Sequence, residues 1–202
     1  MQAPDWSCGR HPDQQLRREA ANLRQGQSAL LDQIGPTILA SLSVNPEWVV
    51  RWRVASNTIT PPSTLERLSM DEDRNIRCAV ARNPSTPPAT LQRLAERWEG
   101  DERCFVASNP NVTPEMLQQF NHSDHDGVRR AAATNSSNPP AQLEQLARDT
   151  NMNVRRATAA NNNSPPALLE QLLKDPEPPV QEAAATNPSL SKHIRAMWQL
   201  AH

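Results

Sequence analysis

Five arginines recur at one fixed spacing. Arg51, Arg77, Arg103, Arg129 and Arg155 each follow the last by 26 residues, and Gln181 takes the sixth place. A guanidinium is a planar, permanently charged fork suited to carboxylate or phosphate, so a regular row of them predicts a surface for acidic groups. Arg53, Arg130 and Arg156 thicken the row, and arginine supplies 19 of the 21 basic residues. Val50 and Val54 should turn inward, which puts the row on the exposed side of a helix. Five arginines on helices stacked about 10 Å apart would form a stripe roughly 40 Å long. Neighbours would stand about one Debye length apart, so the row is tolerable without a ligand. The acidic loop residues preceding each copy (Asp73, Glu99, Asp101) offer local partners instead.

Two tryptophans accompany the start of the row. In EWVVRWR, Trp48 and Trp52 are four apart, and Arg51 and Arg53 flank Trp52. Trp and Arg dominate binding hot spots. Trp48 has two readings, a docking residue or a plug between an N-terminal cap and the first repeat. The equivalents of Trp52 are Cys78, Cys104, Arg130, Arg156 and Glu182, and a column that holds Arg and Glu is at least partly wet. The candidate partner-binding residues are therefore Trp48, Arg51, Trp52, Arg53, Arg77, Arg103, Arg129, Arg130, Arg155 and Arg156.

Other chemistry finds little footing. The segment NHSDHDG holds His122, Asp124, His125 and Asp126, residue types that ligate metals. Other repeats place acidic or polar residues at the same point (Asp71 to Asp73, Asp149 to Asn151), so the segment reads as a polar loop between helices. There is no phosphate-cradling Gly-rich loop, no Cys-x-x-Cys and no assignable Ser/His/Asp set. No catalytic residue, metal or cofactor is expected.

The arginines are positioned by a repeated unit. VRWRVASN ends at Asn57, IRCAVARN at Asn83, ERCFVASN at Asn109, VRRAAATN at Asn135, VRRATAAN at Asn161 and VQEAAATN at Asn187. A constant 26-residue period is the mark of a solenoid, whose modules stack on their neighbours. The composition agrees: 37% hydrophobic, 3% aromatic and 19 Pro recurring in register suit a thin core between two helical layers. The first half of each copy predicts a helix of about two turns, α or 3-10. Ala55, Ala81, Ala107, Ala133, Ala159 and Ala185 predict close helix approach. The Asn column predicts left-handed helix ends, with the amides bonding the backbone of the next repeat.

The second half (TPPSTLERL, TPPATLQRL, VTPEMLQQF, NPPAQLEQL, SPPALLEQL) predicts a helix of about three turns. Thr60, Thr86, Asn138 and Ser164 read as N-caps, with Val112 the exception. Proline sits in the first turn, where it removes no helical bond. The apolar pairs Leu65/Leu68, Leu91/Leu94, Leu117/Phe120, Leu143/Leu146 and Leu169/Leu172 supply the buried stripe. Leu39 and Leu42 extend the frame backward. Residues 1–33 read as an N-terminal segment with a capping helix, 34–190 as the repeats and 191–202 as a C-terminal capping helix, all in one structural domain.

Net charge is −1, which excludes a strongly polycationic binder. Cys8, Cys78 and Cys104 give no even disulfide framework. The first 30 residues lack an apolar signal core. A reduced, cytoplasmic protein is expected.

The pattern V-R-x-x-V-A-x-N followed by P-x-x-L-x-x-L-A resembles the variant leucine-rich repeat family over roughly residues 34–190. The resemblance implies an all-α solenoid, a right-handed superhelix of paired α- and 3-10 helices without a sheet. The family's described member also carries a cysteine-ligated iron–sulfur cluster. Cys8 is alone in residues 1–77, so a four-cysteine site is not expected here. The functional expectation is a non-enzymatic scaffold for a protein or peptide partner, acidic segments being favoured. A nucleic acid held by the Arg row is the alternative, and neither a membrane nor a small-molecule substrate is expected.

Overall fold

The computed structural model describes residues 35–201 and shows an all-α solenoid of repeated helix pairs. The proposed capping helix within residues 13–33 lies outside the described residues. Among the described residues there are 13 α-helices and no strand: α1 (Pro36–Leu42), α2 (Trp48–Ser56), α3 (Pro62–Leu68), α4 (Arg74–Arg82), α5 (Pro88–Arg97), α6 (Arg103–Ala107), α7 (Pro114–Asn121), α8 (Asp126–Thr134), α9 (Pro140–Leu146), α10 (Met152–Ala160), α11 (Pro166–Leu172), α12 (Pro178–Thr186) and α13 (Lys192–Ala201). A 3-10 turn, Gly100–Glu102, leads into α6. The chain divides into two compact units, Met1–Leu94 and Ala95–His202. No helix among the described residues is long and apolar enough to cross a membrane.

In each repeat the first helix carries the Ala and Arg columns. α2, α4, α8, α10 and α12 are nine-residue α-helices, longer and more regular than a mixed α/3-10 element. The second helix is shorter than three turns in α3, α9 and α11, each of seven residues. Proline at its start presets φ and sacrifices no bond.

The core is the apolar seam that the period predicts. All six column alanines are buried, as are Leu65, Leu68, Leu91, Leu94, Leu117, Phe120, Leu143, Leu146, Leu169 and Leu172. In the first unit α2 packs on α4; in the second α8 packs on α6 and α10, and α10 on α12. An alanine at each crossing lets the helix backbones approach closely.

The Asn column does more than end helices. Asn83 Nδ2 donates to the carbonyls of Ala55 at 2.7 Å and Asn57 at 2.8 Å. In the second unit Asn135 bonds Ala107 and Asn109, Asn161 bonds Ala133 and Asn135, and Asn187 bonds Ala159 and Asn161, all at 2.7–3.0 Å. Each amide thus reaches backward, to the preceding repeat rather than the next. The side-chain oxygen accepts the N–H two residues on, as Asn161 does from Asn163 at 2.8 Å. The expected left-handed conformation is not adopted. Asn57, Asn83, Asn135, Asn161 and Asn187 are extended, with ψ between 122° and 128°, which suits reaching sideways to a neighbour.

The Thr60 series is also corrected. Thr60 Oγ1, Thr86 Oγ1 and Ser164 Oγ donate at 2.6 Å to the carbonyl six residues earlier, on the first helix of the repeat, and Asn138 Nδ2 does so at 2.9 Å. The N-cap positions of α3, α9 and α11 are prolines instead. Where Val112 interrupts the series, Thr113 caps α7 by accepting from Met116 N.

Candidate functional site

The Arg column occupies the same point on successive first helices, but it does not form an exposed stripe. Arg51 forks onto Asp71, Nε to Oδ2 at 2.8 Å and Nη2 to Oδ1 at 3.1 Å. Arg129 forks onto Asp149 at 2.6 and 3.0 Å, and Arg155 onto Asp175 at 2.7 and 3.0 Å. The three arginine side chains are only 12–16% exposed and their aspartates 5–9%. The expected exposure of Arg51, Arg129 and Arg155 is therefore overturned. Each partner aspartate lies 20 residues after its arginine, in the next loop rather than the preceding one. Asp73, an expected partner, instead caps α4 by accepting from Asn75 N at 2.7 Å.

A second set of bonds anchors each fork from behind. Nη1 of Arg51 donates to the carbonyls of Asn45 and Pro46, that of Arg77 to Asp71 and Glu72, that of Arg129 to Ser123 and Asp124, and that of Arg155 to Asp149 and Thr150. Gln181 keeps one such bond, to the Asp175 carbonyl at 2.6 Å. Asp149 is thus held twice, by Arg129 on its carboxylate and by Arg155 on its carbonyl.

The electrostatics follow. Burial alone would push the Asp149 carboxyl up. The Arg129 fork, the Asn151 N–H and the charges of Arg129 and Arg155 outweigh it and hold the group below its ordinary value. The same balance lowers Asp71 against Arg51 and Asp175 against Arg155. The bonds to those aspartates raise the three arginines in turn, against the cost of burial.

The column has two exceptions. Twenty residues after Arg77 stands Arg97, and twenty after Arg103 stands Ser123. The Nε atoms of Arg77 and Arg103 are buried and have no hydrogen-bond partner among the described residues. Arg103 has its guanidinium carbon 5.2 Å over the Phe120 ring, a cation–π arrangement. Phe120 stands where other repeats carry leucine.

The remaining candidates scatter by exposure. Trp48, Trp52 and Arg53 are half-buried on α2, Arg130 is half-buried on α8, and Arg156 is exposed on α10. Cys104, in the Trp52 column, is buried and disulfide-bonded, which corrects the expectation of reduced thiols. In the NHSDHDG loop, Ser123 and Asp124 lend their carbonyls to Arg129, and Asp126 accepts from Asn151. No group of three or more His, Cys, Asp or Glu among the described residues is placed to hold a metal ion.

Comparison with known proteins agrees with this repeat geometry. Residues 75–136 match the Leucine Rich Repeat Variant domain. The resemblance first read from the V-R-x-x-V-A-x-N pattern thus has an independent match over two of the six copies in full. A solved structure described as a leucine-rich repeat variant with a novel repetitive protein structural motif is similar in fold, with a TM-score of 0.54 and 26% identity. The similarity covers 75% of this chain and 60% of that one, so the chain spans less than two thirds of that leucine-rich repeat variant. No curated protein matches. The chain is a repeat scaffold built on the leucine-rich repeat variant plan.

Proposed function

We propose that this scaffold is a non-enzymatic interaction module that binds an acidic protein or peptide segment along the first helices of its repeats. The observation that carries the reading is the split within the arginines. Arg51, Arg129 and Arg155 are consumed by internal carboxylates and form the floor. Trp48, Trp52 and Arg53 in the first unit, and Arg130 and Arg156 in the second, stand beside that floor as contact residues, with Arg77 and Arg103 as the rungs that lack a carboxylate. Repeat scaffolds bind through such regularly spaced side chains.

A phosphate-gripping Arg ladder draws less support. Three of its five rungs already hold carboxylates, and net charge is −1. A cytoplasmic location belongs to the same reading, although the bonded Cys104 weighs against it; subcellular fractionation decides the point.

The test is fluorescence anisotropy with a panel of labelled peptides graded in Asp and Glu content, run beside a duplex DNA of equal length. Affinity should rise with acidic content, and Arg130→Glu/Arg156→Glu should weaken it about tenfold or more, the scale of charge-assisted bonds. Unchanged peptide binding in that variant rejects the face. Preference for DNA, with a steep salt dependence, rejects the partner class.

A further inference from the structure

The geometry points to Arg77 as a carboxylate-receiving site, a rung whose acceptor is supplied by a ligand rather than by the chain. This deepens the reading above and rests on it for the identity of the partner.

The internal repeats are the control. In the first unit Arg51 is anchored by Nη1 to two backbone carbonyls, and its Nε and Nη2 clamp Asp71. Arg77 has the same anchor, Nη1 to the carbonyls of Asp71 at 2.7 Å and Glu72 at 2.8 Å. Its other edge has no carboxylate, and its Nε is buried without an acceptor among the described residues. The sequence explains the difference, because Arg97 stands where the aspartate of a complete rung would fall. Arg103 lacks its aspartate too, but Phe120 covers its cationic face. At Arg77 the corresponding residue is the ordinary Leu94, so nothing of that kind replaces the lost acceptor.

A buried cationic N–H without an acceptor is costly, and a pre-anchored fork loses little freedom on binding. The ligand chemistry follows from what the equivalent forks hold. It is a carboxylate taken two-pronged on Nε and Nη2, from an acidic side chain of a partner peptide or from a small organic acid.

The column also provides its own test variant. Gln181 retains the anchoring bond to the Asp175 carbonyl without a fork, so Arg77→Gln keeps the scaffold and removes the site. The Arg77 Nε–H and the backbone amides of residues 71–79 are followed by NMR during titration with sodium acetate against sodium chloride at constant ionic strength. A second titration uses a Glu-rich peptide.

Saturable, acetate-specific shifts in the wild type, weakened about tenfold in Arg77→Gln at unchanged Tm, support the site. Saturation by acetate but not by peptide also supports it, identifies a small acid as the source and counts against the peptide reading. Peptide that binds wild type and Arg77→Gln equally, with no acetate response at Arg77, overturns this inference and leaves the scaffold reading intact. No saturable response to either probe overturns it outright.

Discussion

The Asp149 carboxylate accepts the Arg129 fork at 2.6 and 3.0 Å across 20 residues of sequence. Both side chains are largely shielded, so the pair closes one repeat onto the next and leaves little of either charge to solvent. Asp149→Ala should destabilise the protein by about 1–3 kcal/mol, because it strands a half-buried guanidinium. Arg129→Gln strands the carboxylate instead. The double variant should be less destabilised than the sum of the singles by about 1–3 kcal/mol. Urea midpoints of the four proteins check this, and strict additivity would show the pair to be decorative.

Acid should unlock the same rungs. Asp71, Asp149 and Asp175 have carboxyls held below their ordinary value in the fold. A depressed folded pKa contributes stability that is complete above the unfolded value of about 3.9 and is lost as pH falls through the folded one. Stability measured from pH 6 downward should therefore drop most steeply below about pH 4. The Asp149→Asn curve should be shallower there, and parallel curves would mean that this rung does not titrate with folding.

The Asn ladder gives a sharper substitution. Asn161→Asp keeps the shape but removes the donor that serves the Ala133 and Asn135 carbonyls, and it sets a carboxylate against them. A loss of about 2–4 kcal/mol is expected at neutral pH, read from the shift in Tm. Asn163→Ala, on a neighbouring exposed position, should cost far less.

Overpacking tests the seam. Ala133 is fully buried between stacked helices, and Ala133→Leu adds volume where no space is left. A cost of about 1–3 kcal/mol follows; an unchanged unfolding midpoint would mean that the crossing can widen freely.

Much of the architecture is legible because the period repeats its own controls. A residue type that never varies at one position, as at Ala133 or Asn135, announces a constraint even without knowledge of its partner. The direction of that constraint is not written there. Nothing in an Asn column says whether its amide reaches to the repeat before or after, and the answer came from an extended backbone that no propensity favours. The rungs were hidden for another reason. Asp71, Asp149 and Asp175 lie in loops that look like generic polar spacers, and the constant offset of 20 from Arg51, Arg129 and Arg155 is visible only when the arginines are treated as buried. That same offset, broken by Arg97 and Ser123, marks the two rungs whose Nε lacks an acceptor.

Because the Asn161 and Asn187 amides serve only carbonyls that lie earlier in the chain, the second unit has a built-in arrow. Each module offers acceptors on one side and a donor on the other, like identical tiles with a tongue and a groove. Such tiles can be copied in tandem without redesigning the joint, so a duplicated 26-residue stretch arrives already compatible with whatever precedes it.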